Sequence, residues 1–480
     1  DMNYSMIFYI LGWIFNIDAV FMLLPGITAI VYREKDGLAF LITMLICLAI
    51  GIPLTRKKRK NKVFHAKEGA VTVALSWLVL SAAGALPFVI SGSIPHPVDA
   101  LFETVSGFTT TGASILSDVE SLSHCVLLWR SFTHWIGGMG VLVFILCLLP
   151  LTGGYHMNLM KAESPGPSVS KLVPKVQSTA KILYTIYIIL TVVEMIFLLL
   201  GGMPVFDTLC LSFGTAGTGG FGIKNDSIAS YSTYNQVVIT VFMILFGINF
   251  NAYYLLLSRK ILQAAKNEEV RYYLGIIGLA IVAIAINTRG MFTSFGKAFQ
   301  QAAFQVGSII TTTGFATTDF NVWPVFSKTI LVILMFVGAC AGSTGGGIKV
   351  SRILILCKSA RKELQLYLHP NAIKKIKMDD KAVPHEVVRA TNMFLFVYIL
   401  IFITSLLVIS LDNLDMVSNF TAITATLNNI GPGLGAVGPT GNFGCYSYIS
   451  KLVMIFDMLA GRLEVFPLLL LFKRDTWRKF

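Results

Sequence analysis

Thr109-Thr110-Thr111-Gly112-Ala113 sits in the gap between two hydrophobic spans, and three further glycine-centred segments share that setting. They read Ala216-Gly217-Thr218-Gly219-Gly220, Thr311-Thr312-Thr313-Gly314-Phe315 and Asn429-Ile430-Gly431-Pro432-Gly433. Such segments form helix poorly, and irregular backbone at membrane depth must be satisfied by protein or line a water-filled cavity. Four of them in one chain suggest a ring of main-chain carbonyls around an axis, an arrangement that can replace the water shell of a cation.

The surrounding composition places the segments in a membrane protein. Of the 480 residues 55% are hydrophobic and only 13% charged, about half the charged fraction of a soluble protein. Mean hydropathy is +0.72, and long apolar runs such as 186–200 and 237–257 read as membrane spans. Residues 1–10 lack the basic start of a signal peptide, and the apolar run after them is too long to be its core.

The net charge of +13 is sorted along the chain. Seven Lys/Arg fall in 55–67 and ten in 349–389, while 68–129 and 412–450 hold none. Basic clusters mark cytoplasmic loops. Sorting across a bilayer therefore accounts for the charge, and a nucleic-acid partner is not expected. The seven cysteines (Cys47, Cys125, Cys147, Cys210, Cys340, Cys357 and Cys445) contain no CxxC pair and read as reduced packing residues. The dispersed histidines give no transition-metal spacing.

Working outward from each segment reveals a repeat. One spanning helix leads to a half-length helix with its glycine, then to a second spanning helix and a basic loop. The units run 68–150, 176–258, 271–356 and 390–473, after an N-terminal helix pair and basic loop in 1–67, and each marked glycine lies 41 to 44 residues from its unit's start. Pro97-Val98-Asp99 and Pro204-Val205-Phe206-Asp207 open the first two half-length helices, with Pro near the start and Asp expected as N-cap. About eleven helical residues rise roughly 16 Å, half the hydrocarbon thickness, so each helix would stop at mid-membrane. Its negative C-terminal end then faces the centre, which favours a cation. The expected architecture is all-α and polytopic, with ten spanning helices, four parallel repeats around a pseudo-fourfold pore and both termini cytoplasmic.

Two further stretches complete a pattern. They are Trp129-Arg130-Ser131-Phe132-Thr133-His134-Trp135-Ile136-Gly137-Gly138-Met139-Gly140 and Gly342-Ser343-Thr344-Gly345-Gly346-Gly347-Ile348-Lys349. With the four glycine segments and their spacing, the chain resembles the potassium-uptake superfamily of Trk, Ktr and HKT proteins over nearly its whole length. The extra N-terminal helix pair makes it similar to the bacterial TrkH type. The resemblance implies a single-glycine potassium filter at Gly112, Gly219, Gly314 and Gly431. Carbonyls of Thr110, Thr111, Thr218, Thr312, Thr313, Asn429 and Ile430 would complete it. Glycine at the first position is associated in that family with potassium passage, and serine with sodium preference. The resemblance also implies a homodimer in the bacterial inner membrane and a cytosolic nucleotide-binding regulatory subunit of TrkA type. That subunit would dock on faces such as 151–176, 259–272 and 357–389.

The segments are not equivalent. Thr111, Thr218 and Thr313 precede three of the glycines, whereas Ile430 precedes the fourth and Pro432 follows it. Residues 338–347 carry five glycines, at Gly338, Gly342, Gly345, Gly346 and Gly347, with Ser343 and Thr344 between. Each glycine costs a helix about 1 kcal/mol relative to alanine, so the second helix of repeat three is expected to break there. The resemblance makes this break an intramembrane loop that obstructs the pore and moves on opening. Arg462 lies amid the last spanning helix, where an intramembrane charge faces the interior or a cavity. It either pairs with Asp457 or Glu464 or projects into the pore as an electrostatic barrier. Arg130 and Lys349, nearer helix ends, are read as snorkelling.

The chain carries no catalytic constellation and no nucleotide site. Gly217-x-Gly219-x-x-Gly222 and Gly433-x-Gly435-x-x-Gly438 match a dinucleotide fingerprint but follow no βαβ strand, and Ile348 separates Gly347 from Lys349 where a P-loop would not. Asn3 and Asn419 head glycosylation patterns in segments expected to be cytoplasmic and pore-lining. A gated, non-enzymatic potassium channel subunit is the favoured reading. Its rivals are a proton- or sodium-coupled symporter, for which Asp18, Glu194 and Asp457 are the few intramembrane carboxylates, and the ion-translocating subunit of an ATP-driven pump.

Overall fold

The computed structural model describes residues 2–57, 65–140 and 176–478. Among them the chain is helical apart from one two-stranded hairpin, Lys377–Met378 with Lys381–Ala382. Six helical stretches are long and apolar enough to cross a membrane: Tyr4–Tyr32, Gly37–Arg56, Ala66–Ser91, Ala180–Leu200, Glu268–Met291 and His385–Asp412. Their outward faces carry exposed large apolar side chains such as Leu279, Leu407 and Ile27. Patches of that kind suit lipid and would promote association in water.

Four shorter helices, Pro97–Phe108, Val205–Ala216, Phe295–Ile310 and Met416–Leu427, follow the first spans of the expected units. The first two begin at the stretches read from the sequence as their openings, but the acidic residues there are not caps. His96 Nδ1 accepts from Val98 N and Pro204 precedes Val205, so Asp99 and Asp207 lie inside the first turn. There Asp99 meets Lys451 Nζ at 2.7 Å and Asp207 accepts from Tyr231 Oη at 2.9 Å. Only Met416–Leu427 has the expected Asp cap, Asp415, which accepts from Ser418 N.

Ten spanning helices are expected from the sequence; among the described residues six are long and apolar enough to span, or seven if one bent pair counts as a span, and the second helices of units two, three and four are broken, the third as expected. Thr233–Phe246 and Phe250–Leu257 meet at 91°. The sequence run 237–257 had read as one span; Gly247 ends the first half and Asn249 caps the second, accepting from Asn251 N at 2.9 Å. Val325–Val337 and Val350–Leu368 flank the glycine-rich loop, and Tyr448–Arg462 gives way to Phe466–Leu470 at Glu464 and Val465, both with positive φ. The described part of the first unit's second helix is His124–Met139; residues 141–175, which hold all but the last residue of the expected loop 151–176, lie outside the described residues. The stretch 349–389, expected as a basic loop, instead holds the 19-residue helix Val350–Leu368 and the hairpin.

Packing between the elements is close and largely apolar. The main core joins the N-terminal pair to the first and last units through Trp77, Phe108, Trp129, Ile423 and Met458. Gly84 lets Phe108 approach its backbone, and its carbonyl accepts from Trp129 Nε1 at 3.0 Å. In lipid such contacts, rather than water exclusion, hold helices together.

Candidate functional site: a glycine ring and its covering loop

The four short helices end at Thr109, Gly217, Thr311 and Asn428, and each then repeats one backbone path. A left-handed residue comes first: Thr110, Thr218, Thr312 and Asn429, with φ between 56° and 61°. The next residue turns its amide back onto the helix. Thr111 N donates to Ser106 O at 2.9 Å, Gly219 N to Gly214 O at 2.8 Å, Thr313 N to Ser308 O at 2.9 Å and Ile430 N to Ala425 O at 2.8 Å. A glycine of positive φ follows: Gly112 (80°), Gly220 (87°), Gly314 (89°) and Gly431 (106°). The second segment is therefore shifted by one from the sequence reading. Gly220, not Gly219, stands where Gly112 stands, and Thr218 matches Thr110 rather than Thr111. Two adjacent glycines left the register open in the sequence; the helix end at Gly217 decides it.

These glycines meet the neighbouring segments in cyclic order. A methyl group on Gly112 would overlap the Gly219 carbonyl oxygen, one on Gly220 that of Thr313 and one on Gly314 that of Ile430. On Gly431 it would lie 2.8 Å from the Thr111 carbonyl oxygen. Both the left-handed backbone and the close approach exclude a side chain. The carbonyls of Thr111, Gly219, Thr313 and Ile430 thus converge at the C-terminal, partially negative ends of four helices, an arrangement able to bind a dehydrated cation. The ring's side chains differ. Asn429 Nδ2 donates to Thr111 Oγ1 at 3.0 Å and Met458 O at 2.9 Å, while the buried Thr110 hydroxyl has no partner among the described residues. Beyond the glycines opens a vestibule of about 130 Å³, lined by Ser114, Phe221, Asn225, Pro432 and Asn442 among others.

Buried polar side chains brace the ring, and sequence reasoning missed most of them. Arg130 does not snorkel: it is buried, with Nε 3.0 Å and Nη2 2.9 Å from Glu103 Oε1. Glu103 also accepts from Ser114 Oγ at 2.8 Å and Ile115 N at 3.0 Å, and Arg130 Nη1 reaches Gly222 O at 3.3 Å. One ion pair thus ties the chain just past Gly112 to the chain just past Gly220. His134 ties the first short helix to the chain just past Gly220. The Gly107 carbonyl, 2.7 Å from Nδ1, requires the proton there, so Nε2 accepts from Phe221 N at 3.2 Å. The quoted stretch around Trp129 contained both residues, and an Arg and a His inside an apolar helix were the available signal.

The loop after Val337 covers the opposite side of the ring. Gly346 N donates to Thr312 Oγ1 at 2.6 Å, Gly347 N to Asn428 O at 3.1 Å, and Thr218 Oγ1 donates to Thr344 O at 2.8 Å. Gly338, Gly342 and Gly347 have positive φ. Gly345 and Gly346 are needed for space, against Ala339 and the Asn428 carbonyl. Ser343 Oγ closes the turn on Cys340 O at 2.6 Å. The loop also fills the 91° bend of the preceding unit: Cys340 N donates to Gly247 O and Phe250 N to Gly342 O, both at 3.1 Å. Each break supplies hydrogen bonds that the other break has freed.

Arg462 completes this contact. Its Nη1 lies 3.3 Å from Thr344 O, and its Nη2 lies 2.5 and 2.8 Å from the carbonyls of Gly137 and Gly138. The two carboxylates expected as partners are occupied elsewhere. Glu464 pairs with Arg352, and Asp457 accepts from Ser405 Oγ at 2.7 Å. Lys349 is buried rather than snorkelling, and its ammonium donates to Gly345 O. Two cationic side chains therefore rest on adjacent carbonyls of the loop.

Comparison with known proteins shows the family of the chain. The family model described as TrkH, cation transport protein, matches residues 36–279 and 270–478. The Trk system potassium uptake protein TrkH of Salmonella typhimurium is 39% identical over 485 residues, covering all of both chains. TrkG of Escherichia coli K12 is 34% identical, covering 98% of this chain and 97% of its own. The crystal structure of the potassium transporter TrkH from Vibrio parahaemolyticus superposes with a TM-score of 0.88 at 35% identity, covering 99% of this chain and 100% of that one. The chain belongs to the TrkH family of cation transport proteins.

Proposed function

We propose that this chain is the potassium-conducting membrane subunit of a bacterial potassium uptake system. It would sit in the inner membrane with both termini cytoplasmic, and the four helix–short-helix–helix repeats would surround one pore. Potassium would enter through the vestibule and shed water onto the carbonyls around Thr111, Gly219, Thr313 and Ile430. It would then pass the loop 338–347, which acts as a gate, and Arg462, which adds an electrostatic barrier. The observation that carries the reading is the cyclic contact of Gly112, Gly220, Gly314 and Gly431 with the next segment's carbonyl. Membrane lipid surrounds the apolar faces. A homodimer and a cytosolic nucleotide-binding regulatory subunit of TrkA type belong to the same proposal.

Coupled symport is the second reading, because Asp18 and Glu194 are fully buried and neither carboxyl oxygen of Asp18 has a hydrogen-bond partner among the described residues. Intramembrane carboxylates of this kind serve proton relays. Rubidium uptake into proteoliposomes, with sodium competition and an imposed proton gradient, tests both. Uptake that follows the rubidium gradient alone and resists sodium supports the channel. Uptake driven by the proton gradient replaces it with the symporter, and absence of rubidium flux overturns the proposal.

A further inference from the structure

We infer that Glu269 is a positioning residue that latches the loop 338–347 closed, and that the cytosolic hairpin tip at Asp379 is the handle of the latch. This inference rests on reading the loop as the gate. Glu269 is the second residue of the helix Glu268–Thr288 and is buried at 6% exposure. Its Oε1 accepts from Ala341 N at 2.6 Å and from Ser351 N at 3.2 Å. Those two amides stand at the entry and the exit of the glycine-rich turn, so one carboxylate oxygen clamps both ends of the loop to a neighbouring helix. Within the clamp the chain bends at glycines of positive φ, Gly342 and Gly347, which resist displacement little. Losing the acceptor leaves two buried amides unsatisfied. The loop can relieve that loss only by moving.

The adjacent residue links the clamp to the surface. Glu268 N donates to Asp379 Oδ1 at 2.7 Å, and Asp379 N donates back to Glu268 Oε2 at 3.3 Å. Lys358 Nζ lies 2.5 Å from Glu268 Oε1 and 2.6 Å from the Lys377 carbonyl oxygen. The hairpin tip is thereby tied both to the first turn that carries Glu269 and to the helix that leaves the loop. Asp379 and Asp380 both have positive φ, which makes the tip a tight, rigid turn. A protein that displaces this tip pulls the first turn and with it the loop's anchor. Among the described residues Glu269 makes no hydrogen bond to the glycine ring, so its influence on the ring passes through the loop's own bonds to Thr218, Thr312 and Asn428.

The test is basal rubidium flux of the full-length chain in proteoliposomes, measured with sodium competition. Glu269→Ala should raise basal flux at least about tenfold, because both bonds to its carboxylate are lost. Glu269→Gln, which keeps an acceptor oxygen, should stay close to the parent chain. Asp379→Ala, on the exposed surface, should raise flux by a smaller factor and serves if Glu269→Ala does not fold. A partial deletion of 338–347 separates the two ideas: if the deletion raises flux and neither Glu269→Ala nor Asp379→Ala does, the latch is wrong and the gate stands. If the deletion itself leaves flux unchanged, the gate reading falls.

Discussion

The Arg462 guanidinium lies against the main chain of Thr344, with Nη1 3.3 Å from its carbonyl oxygen and Nη2 on two further carbonyls across the site. Arg462→Ala removes the charge and all three bonds, and such bonds contribute about 1.5–3 kcal/mol each. Basal rubidium flux in proteoliposomes should rise. Arg462→Lys keeps the charge without the fork and should fall between the two. Equal flux in all three proteins would refute a barrier at this position.

The one-residue shift in the second segment gives opposite expectations for neighbouring glycines. Gly220→Ala places a side chain at φ 87° against the Thr313 carbonyl, where nothing flexible can yield. A left-handed non-glycine residue costs about 1–2 kcal/mol before any overlap. Gly219→Ala instead collides with the His134 ring. Its defect should be partly rescued by His134→Ala, whereas that of Gly220→Ala should not. Rubidium flux and thermal stability in detergent measure both, and rescue of Gly220→Ala would return the ring position to Gly219.

Glu103 and Arg130 form a pair buried on both sides, at 0% and 2% side-chain exposure. Removing one partner of such a pair costs about 3–5 kcal/mol because the other is left charged and unsolvated. Glu103→Leu and Arg130→Met alone should each abolish the monodisperse peak in size-exclusion chromatography. The double variant should recover part of the lost thermal stability. A double variant no more stable than either single one would show that the pair acts through its bonds to Ser114, Ile115 and Gly222 instead.

Thr110 and Thr312 occupy the same position in their segments but hold different bonds. Thr110→Val removes a hydroxyl with no partner among the described residues, so stability should change by no more than about 0.5 kcal/mol. If that hydroxyl faces the permeating ion, the rubidium concentration for half-maximal flux should rise. Thr312→Val breaks the bond to Gly346 N and should act on basal flux instead. Identical phenotypes would argue against distinct roles.

Much of this molecule was legible in local sequence. The apolar runs, the helix starts near Pro97 and Pro204, and the glycine-rich break at 338–347 follow from propensity and periodicity, which depend on neighbours along the chain. The four glycine segments were likewise recognisable, because a residue that must adopt positive φ beside a helix end is most often glycine. Their family likeness identified the whole chain. The second break, at Gly247 to Asn249, was harder to read, since one glycine and one asparagine in an apolar run do not by themselves end a span.

What only the tertiary structure decided was partnership. Gly219 and Gly220 are interchangeable in the sequence; the hydrogen bond from Gly219 N to Gly214 O, and the Thr313 carbonyl facing Gly220, distinguish them. In the sequence Arg130 and Lys349 read as charges near helix ends and Arg462 as a charge amid a span, with no partner fixed for any of them. Glu103, the Gly345 carbonyl and the Thr344 carbonyl give them their separate places, from segments up to 118 residues away for Arg462 and Thr344. Local sequence sets which backbone conformations are cheap. Which buried donor finds which acceptor depends on contacts between distant segments, and those exist only once the helices have packed.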